Sequence, residues 1–190
     1  MQTSNWNVRG LVFTALFAAL FIVFSILKIS LGFTPVPFTL QSFAIMLAGG
    51  LLGARYGFYS ILIVVVLTAL GLPLLHGEGG ISYVLGKTGG FILMFSISAL
   101  FIGFFAQRIR GKGIIAYIQL LIVMYVFGSL LVYTSGVPWF AHTANMTYSK
   151  ALTLVCYPFL LPDLFKAILA SGIVLTVREY VPNLASKSTK

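Results

Sequence analysis

The sequence predicts an all-α membrane protein with six transmembrane helices. Of its 190 residues, 59% are hydrophobic and only 8% are charged, and the mean hydropathy is +1.05. A soluble domain carries about 25% charged residues because its surface must be hydrated. Since a helix needs about 20 apolar residues to span a bilayer, the chain holds about six spans and little else. We therefore expect a single transmembrane domain over residues 1–190.

Six apolar segments correspond to the predicted helices: residues 11–27, 42–53, 57–75, 89–106, 114–133 and 164–177. Arg9 precedes the first segment as in a secretory signal, but the apolar stretch is too long and no cleavage site follows, so a retained helix is predicted. The last helix begins as early as Pro158 in an alternative assignment. The second segment is short and contains Gly49 and Gly50, so a re-entrant segment and a total of five spans remain an alternative.

Basic residues predict which side of the membrane is cytoplasmic. Twelve Lys and Arg against three acids give a net charge of +9, and basic residues concentrate in cytoplasmic loops. With six spans, eight lie on one side: Arg9, Arg55, Arg108, Arg110, Lys112, Arg178, Lys187 and Lys190. Lys28, Lys87 and Lys150 lie on the other side. With five spans Arg9 and Lys28 exchange sides, so the division is again eight to three. Both arrangements place residues 108–112 and the C-terminus in the cytoplasm, and six spans place the N-terminus there too.

Gly and Pro residues concentrate in the predicted outer segments, residues 29–41, 72–88 and 133–162. Irregular backbone at membrane depth occurs only where protein buries it or water reaches it. We therefore expect a ligand cavity open to the outside. The alternative is a set of ordinary surface loops, which Gly and Pro also favour. Nucleic-acid binding is not expected, because no wettable fold with a basic stripe is present.

Asp163 and Lys166 form the strongest candidate site, at the start of the last helix. They are three residues apart, so they share a helix face and can neutralise each other. Charges within a membrane are costly and normally face a partner or a wet cavity. We predict that this pair binds polar groups of a ligand. The alternative is a self-contained ion pair at the interface, with Lys166 extending towards the headgroups.

A glycine-rich segment over residues 77–90 is the second candidate. It is not a Walker phosphate-binding loop, because Ile81 stands where that motif requires glycine. Gly79 and Gly80 allow backbone amides to approach a ligand closely. Tyr83 would supply an aromatic wall and Lys87 a cation for an anionic group. The alternative for Lys87 is an interfacial anchor.

Two further segments offer polar or aromatic groups. The Thr34–Gln41 hairpin is stiffened by two prolines and ends in Thr39 and Gln41, which can hydrogen-bond a ligand; the alternative is a rigid turn. Trp139, after a Gly-Val-Pro turn, would stack on a ligand ring or anchor the helix end at the headgroups.

The remaining features concern partners and chemistry. Ala15 and Ala19 form a small-xxx-small surface on the first helix, which allows another helix to approach. No metal site is expected, because the two histidines are isolated and the one cysteine has no ligand partner nearby. The sequence contains no assembled catalytic motif, so we do not expect an enzyme.

Four motifs occur in order along the chain: Pro-Val-Pro-Phe-Thr-Leu-Gln, Gly-Gly-x-x-Tyr-x-x-Gly-x-Thr-Gly-Gly, Gly-Val-Pro-Trp and Pro-Asp-x-x-Lys. Together they cover nearly the whole chain. In this pattern the sequence resembles the BioY family, the biotin-specific substrate-binding (S) components of energy-coupling-factor (ECF) vitamin importers. One departure is Lys87, which stands where the family commonly has proline.

The resemblance implies six helices with both termini cytoplasmic, in the cell membrane. It also implies high-affinity biotin capture from outside, with no cofactor, catalysis or ATP binding by this subunit. The residues that match the family's ligand site are Asp163, Lys166, Gly79, Gly80, Tyr83, Thr39 and Gln41. Ala15 and Ala19 match the surface that docks on the transmembrane coupling protein (T component), which in turn binds two ATPases. The alternative is slow facilitated movement of biotin by this protein alone, without these partners.

Biotin also suits the chemistry of these residues. Its ureido ring needs an acceptor and donors, its fused rings need apolar walls, and its carboxylate needs a cation. Asp163 meets the first need, and either Lys166 or Lys87 meets the last, so the orientation of biotin stays open. The alternatives are an S component for another vitamin and a structural or scaffolding membrane protein without a small-molecule site.

Overall fold

The structure, a computed structural model, describes residues 8–30, 32 and 34–180. Both chain termini, with Lys187 and Lys190, lie outside the described residues. The elements are α1 (Val8–Ile26), β1 (Lys28–Ile29), β2 (Phe38–Thr39), α2 (Gln41–Ala69), α3 (Ile81–Val84), α4 (Gly89–Ala106), α5 (Gly113–Tyr125), a π-helical turn (Val126–Leu130), α6 (Leu131–Thr143), α7 (Tyr148–Val155) and α8 (Tyr157–Tyr180).

Among the described residues, five helical stretches are long and apolar enough to cross a membrane: Val8–Ile26, Gln41–Ala69, Gly89–Ala106, Gly113–Thr143 and Tyr157–Tyr180. The prediction of a helical, multi-pass membrane protein is therefore confirmed. Strands β1 and β2 add only a short antiparallel ribbon, in which Lys28 pairs with Thr39. The count of six spans stays a prediction.

Helix α2 changes direction at Gly53. The backbone of Gly53 has φ +80° and ψ −177°, which is not helical. A Cβ built on Gly57 would lie 2.9 Å from the Ala48 carbonyl oxygen, whereas residues nine apart in one straight helix are about 13.5 Å apart along its axis. The halves on either side of Gly53 therefore fold back on each other, with Gly49 and Gly57 at their contact.

One end of the helix bundle, which we call the basic end, carries the Gly53 turn and the 107–112 loop. Arg178 of α8 lies here: its Nε and Nη2 donate to the Gly50 carbonyl oxygen at 3.0 and 2.5 Å, and Nη1 donates to the Ala106 oxygen at 2.6 Å. The Gly50 carbonyl lies just before the non-helical Gly53, and the Ala106 carbonyl ends α4, where it also accepts from the Ile109 backbone amide at 3.3 Å. The guanidinium thus ties α2, α4 and α8 together.

The prediction that residues 133–162 form an irregular outer segment is wrong in part. Pro138 and Trp139 lie inside α6, and most of the rest forms α7 and the start of α8, in which Pro162 is an internal residue. Proline favours irregular segments because it removes a backbone donor. Here α6 packs closely on α4, since a Cβ on Gly90 would lie 2.4 Å from the Trp139 Cβ.

Candidate ligand-binding cavity

A cavity lies between the helices, towards the end opposite the basic end. It is bounded by the β1–β2 ribbon, the starts of α2 and α4, the π-helical turn, α6 and the start of α8. Its lining residues are Val36, Pro37, Thr39, Gln41, Ser42, His76, Thr88, Phe91, Ile92, Phe95, Gly128, Ser129, Val132, Tyr133, Val155, Phe159, Asp163 and Lys166. The lining therefore combines apolar and aromatic walls with a few polar groups, as in many small-molecule sites.

Asp163 and Lys166 pair within the cavity wall, as predicted from their spacing. Lys166 Nζ lies 2.8 Å from Asp163 Oδ1, and the two residues are only 7% and 5% exposed. Lys166 Nζ also donates to Ser42 Oγ at 3.0 Å, and Ser42 Oγ donates to Asp163 Oδ1 at 3.2 Å. The Tyr133 hydroxyl donates to Asp163 Oδ2 at 2.5 Å. The carboxylate is thus held from three helices.

Aromatic rings surround this polar cluster. Lys166 Nζ lies 4.2 Å from the centroid of the Phe38 ring, a cation–π contact from the ribbon. Phe91 meets the Tyr133 ring edge-on, with 6.3 Å between centroids. Phe95 and Phe159 complete the apolar wall. A ligand in the cavity would therefore meet flat apolar surfaces beside a single buried ion pair.

Three buried side-chain atoms have no hydrogen-bond partner in the part of the chain that the structure describes: Gln41 Nε2, His76 Nε2 and Ser129 Oγ. We call these the orphan atoms. All three belong to residues that line the cavity. Buried polar atoms normally have partners, so their concentration at one cavity indicates groups that are satisfied by a ligand or water.

The 70–90 segment approaches the cavity through His76. Tyr83 OH lies 2.5 Å from His76 Nδ1, and the His76 backbone amide donates to Ser25 Oγ at 3.2 Å. His76 adopts φ +57°, which is uncommon for a residue with a side chain. Burial lowers the pKa of His76, as does the charge of Lys28, while Glu78 opposes them. Burial raises the pKa of Tyr83 to about 12, with a further contribution from Glu78.

Four of the nine predicted ligand residues lie in the cavity lining. Thr39, Gln41, Asp163 and Lys166 line the cavity, and Thr39 Oγ1 donates to Gln41 Oε1 at 3.1 Å. Tyr83 reaches it only through His76.

The structure does not bring the other predicted ligand residues into the lining. Gly79 and Gly80 are partly buried in the loop, and Lys87 is exposed. Trp139 donates from Nε1 to the Gly86 carbonyl oxygen at 2.8 Å and packs on Gly89. The role of each as a ligand contact stays a prediction.

Sequence reasoning did not select Ser42, His76, Ser129 and Tyr133 as site residues. Ser42 and Tyr133 reach Asp163 from 121 and 30 residues away along the chain, and no local pattern links such distant positions. Ser129 lies in the π-helical turn, which follows from tertiary packing. The sequence does offer a signal for His76, which directly precedes the glycine-rich segment, but an isolated histidine does not indicate a metal site.

Ala15 and Ala19 lie on the exposed side of α1, beside exposed Leu11 and Leu16. Their neighbour Ala18 is buried against the bundle. The predicted docking surface is therefore accessible in this chain. No group of three or more His, Cys, Asp and Glu residues suited to a metal ion is found among the described residues.

Comparisons with known proteins agree with this architecture. A family model described as the BioY family matches residues 1–183. The biotin transporter BioY of Rhizobium etli is 34% identical over 187 residues, covering 96% of this chain and 100% of the relative. The probable biotin transporter BioY of Pyrococcus horikoshii is 39% identical over 165 residues, covering 86% and 91%.

A solved structure is also similar. The crystal structure at 2.1 Å of the S-component for biotin from an ECF-type ABC transporter matches with a TM-score of 0.83 and 34% sequence identity, covering 94% of this chain and 95% of that one. The helical cavity described above is thus found on a fold shared with an S-component for biotin. Together with the family match over nearly the full length, this shows that the chain belongs to the BioY family.

Proposed function

We propose that this protein binds biotin and takes it up across the membrane as the substrate-specific subunit of an ECF-type vitamin importer. The observation that carries the proposal is the buried Asp163–Lys166 pair beside the orphan atoms in one aromatic cavity. The family supplies the substrate class, since the proteins to which this chain is similar include biotin transporters and an S-component for biotin.

The cavity matches the chemistry of biotin. The ureido group presents two N–H donors and one strong oxygen acceptor, and the lining offers the Asp163 carboxylate as acceptor and Gln41 Nε2 as donor. The fused rings are apolar and would lie against Phe91 and Phe95. A small number of polar groups in an otherwise apolar cavity is the usual basis of small-molecule specificity.

The finer features of the proposal concern topology and partners. The fold-back at Gly53 supports six spans with the basic end in the cytoplasm, since basic residues favour that side. The cavity would then face outside, in the cell membrane. The exposed Ala15 and Ala19 would dock on a T component that carries two ATPases, so this chain itself needs no catalytic group or cofactor.

Titration of the purified protein with labelled biotin tests the proposal. We expect saturable binding, and Lys166→Ala should weaken it at least about tenfold, or about 1.4 kcal/mol. Lys112→Ala is the matched control, because Lys112 makes an exposed ion pair with Glu179 at the basic end. Absence of saturable binding by the unaltered protein would contradict the biotin assignment, and saturable binding of a different vitamin would indicate another S component. If the protein assembled with partner proteins but bound no small molecule, it would be a structural or scaffolding membrane protein.

A further inference from the structure

Ser129 differs from three other buried hydroxyls on the described helices. Thr14, Thr68 and Ser171 each donate to a carbonyl four residues earlier in their own helix, at 2.7 to 2.8 Å. Ser129 is equally buried, at 1% exposure, yet its Oγ has no partner within residues 8–30, 32 and 34–180. A hydroxyl in an apolar bundle normally returns to its own backbone. Its free hydroxyl therefore calls for a physical reason.

The reason lies in the helix geometry. Ser129 belongs to the π-helical turn Val126–Leu130, which interrupts the helical stretch Gly113–Thr143. The turn is fixed from outside, because the Ser98 hydroxyl of α4 donates to the Phe127 carbonyl oxygen. Gly128 packs against Met46, where a Cβ would lie 2.7 Å from the Met46 Cε. Single π-helical turns of this kind are frequent at functional sites.

The position of Ser129 identifies the part of the cavity that it serves. It precedes Tyr133 by four residues and is therefore about 6 Å closer to the basic end along the helix. Tyr133 holds Asp163, and Ser129 lines the same cavity. Ser129 thus lies on the inner floor of the cavity, beyond the polar cluster.

A charged group is poorly suited to this floor. Lys166 Nζ is already compensated by Asp163 at 2.8 Å and also contacts Ser42 and the Phe38 ring. A ligand carboxylate here would be a second buried anion without its own counterion, which is strongly unfavourable. A neutral acceptor has no such cost, and the orphan Ser129 Oγ can donate to it.

We propose that Ser129 is a specificity-determining residue that donates a hydrogen bond from Oγ to the ureido oxygen of biotin at the cavity floor. This inference rests on the proposed function. It places the ureido rings inward and the carboxylate towards the cavity mouth. The hydroxyl, which has no partner among the described residues, then gains one only when the ligand is bound.

A ligand series tests the contact: biotin, its analogue with sulfur in place of the ureido oxygen, and biotin methyl ester. Ser129→Ala should weaken binding of biotin and of the methyl ester about three- to tenfold, as expected for one neutral hydrogen bond. The loss should fall below about twofold for the sulfur analogue, which is a poorer acceptor. Ser129→Cys, with a similar volume and a weaker donor, should give the same pattern.

Ser171→Ala is the matched control, since it removes a buried hydroxyl that bonds only within α8. It should leave all three affinities unchanged. Unchanged biotin binding by Ser129→Ala would overturn the inference, as would an equal loss for all three ligands or a loss that disappears only for the methyl ester. These outcomes differ from failure of the proposed function, in which the unaltered protein would not bind biotin.

Discussion

Lys166 Nζ and Asp163 Oδ1 lie 2.8 Å apart on one face of α8, and both side chains are almost fully buried. The carboxylate also accepts from Ser42 and Tyr133. Such a pair replaces much of the lost hydration of each charge, so each partner depends on the other. The pair is therefore a structural element as well as a candidate ligand site.

This mutual dependence predicts strong coupling in stability. Asp163→Asn or Lys166→Met alone leaves one buried charge unpaired, which should lower the free energy of unfolding by about 3–5 kcal/mol. The double variant removes both charges and should lose clearly less than the sum of the two single losses. Unfolding in detergent, followed by helical circular dichroism, measures all four proteins. Additive losses would show that the two charges are not energetically linked.

The close contact within α2 gives a second prediction. Gly57→Ala would place a methyl group 2.9 Å from the Ala48 carbonyl oxygen, so the halves must separate, at a cost of about 1–3 kcal/mol. Gly172→Ala is the matched control, because its methyl would meet Tyr117 Cε2 at an ordinary 3.9 Å. Thermal unfolding compares the two variants. Equal midpoints for Gly57→Ala and the unaltered protein would argue against a tight fold-back at Gly53.

The sequence predicts the local parts of this molecule better than the distant ones. Asp163 and Lys166 were paired correctly because helix geometry brings residues three apart together. The sequence does not indicate Tyr133 and Ser42 as partners of Asp163, because their contacts depend on how separate helices pack. Pro138 was assigned to a turn because its missing donor disfavours a helix interior, but the packing of Trp139 on Gly89 and Gly90 favours the continued helix. The orphan hydroxyl of Ser129 depends on a π-helical turn that sequence periodicity does not reveal.

Arg178 gives a third prediction, at the basic end. Its guanidinium satisfies carbonyls of Gly50 and Ala106 at the ends of two helices, and hydrogen bonds to charged groups contribute about 1.5–3 kcal/mol each. Because the Ala106 oxygen keeps its bond from the Ile109 amide, Arg178→Met should lower the free energy of unfolding by about 2–4 kcal/mol, less than two full bonds. Lys112→Met, which breaks the exposed ion pair with Glu179, should cost less than about 1 kcal/mol. Equal losses for the two variants would contradict the tying role of Arg178.

His76 predicts a dependence of stability on pH. Burial and Lys28 lower its pKa below the ordinary 6.5, against the opposing charge of Glu78, so the folded protein favours the neutral ring. The unfolded chain takes up a proton as the pH falls through 6.5, and folding stability is lost from there down to the lowered pKa. Above that window the ring is neutral in both the folded and the unfolded state, so His76 causes no loss of stability there.

His76→Asn isolates this contribution, because asparagine tolerates the φ of +57° at this position and does not titrate. Unfolding temperatures measured between pH 8 and 5 should fall less steeply for His76→Asn than for the unaltered protein. Parallel curves for the two proteins would assign the acid sensitivity to groups other than His76.

The exposed small-residue surface of α1 gives the last prediction. Ala15→Phe would add bulk where a T component is proposed to approach closely. It should leave the cavity unchanged, because the cavity's lining residues include none from α1. We expect biotin affinity of the isolated subunit to stay the same and biotin uptake by cells that also produce the T component and ATPases to fall at least about fivefold. Leu169→Phe is the control, because it enlarges an exposed residue of α8 instead. Full uptake by Ala15→Phe would exclude this surface from docking, whereas equal losses for both variants would indicate a general effect of bulk facing lipid.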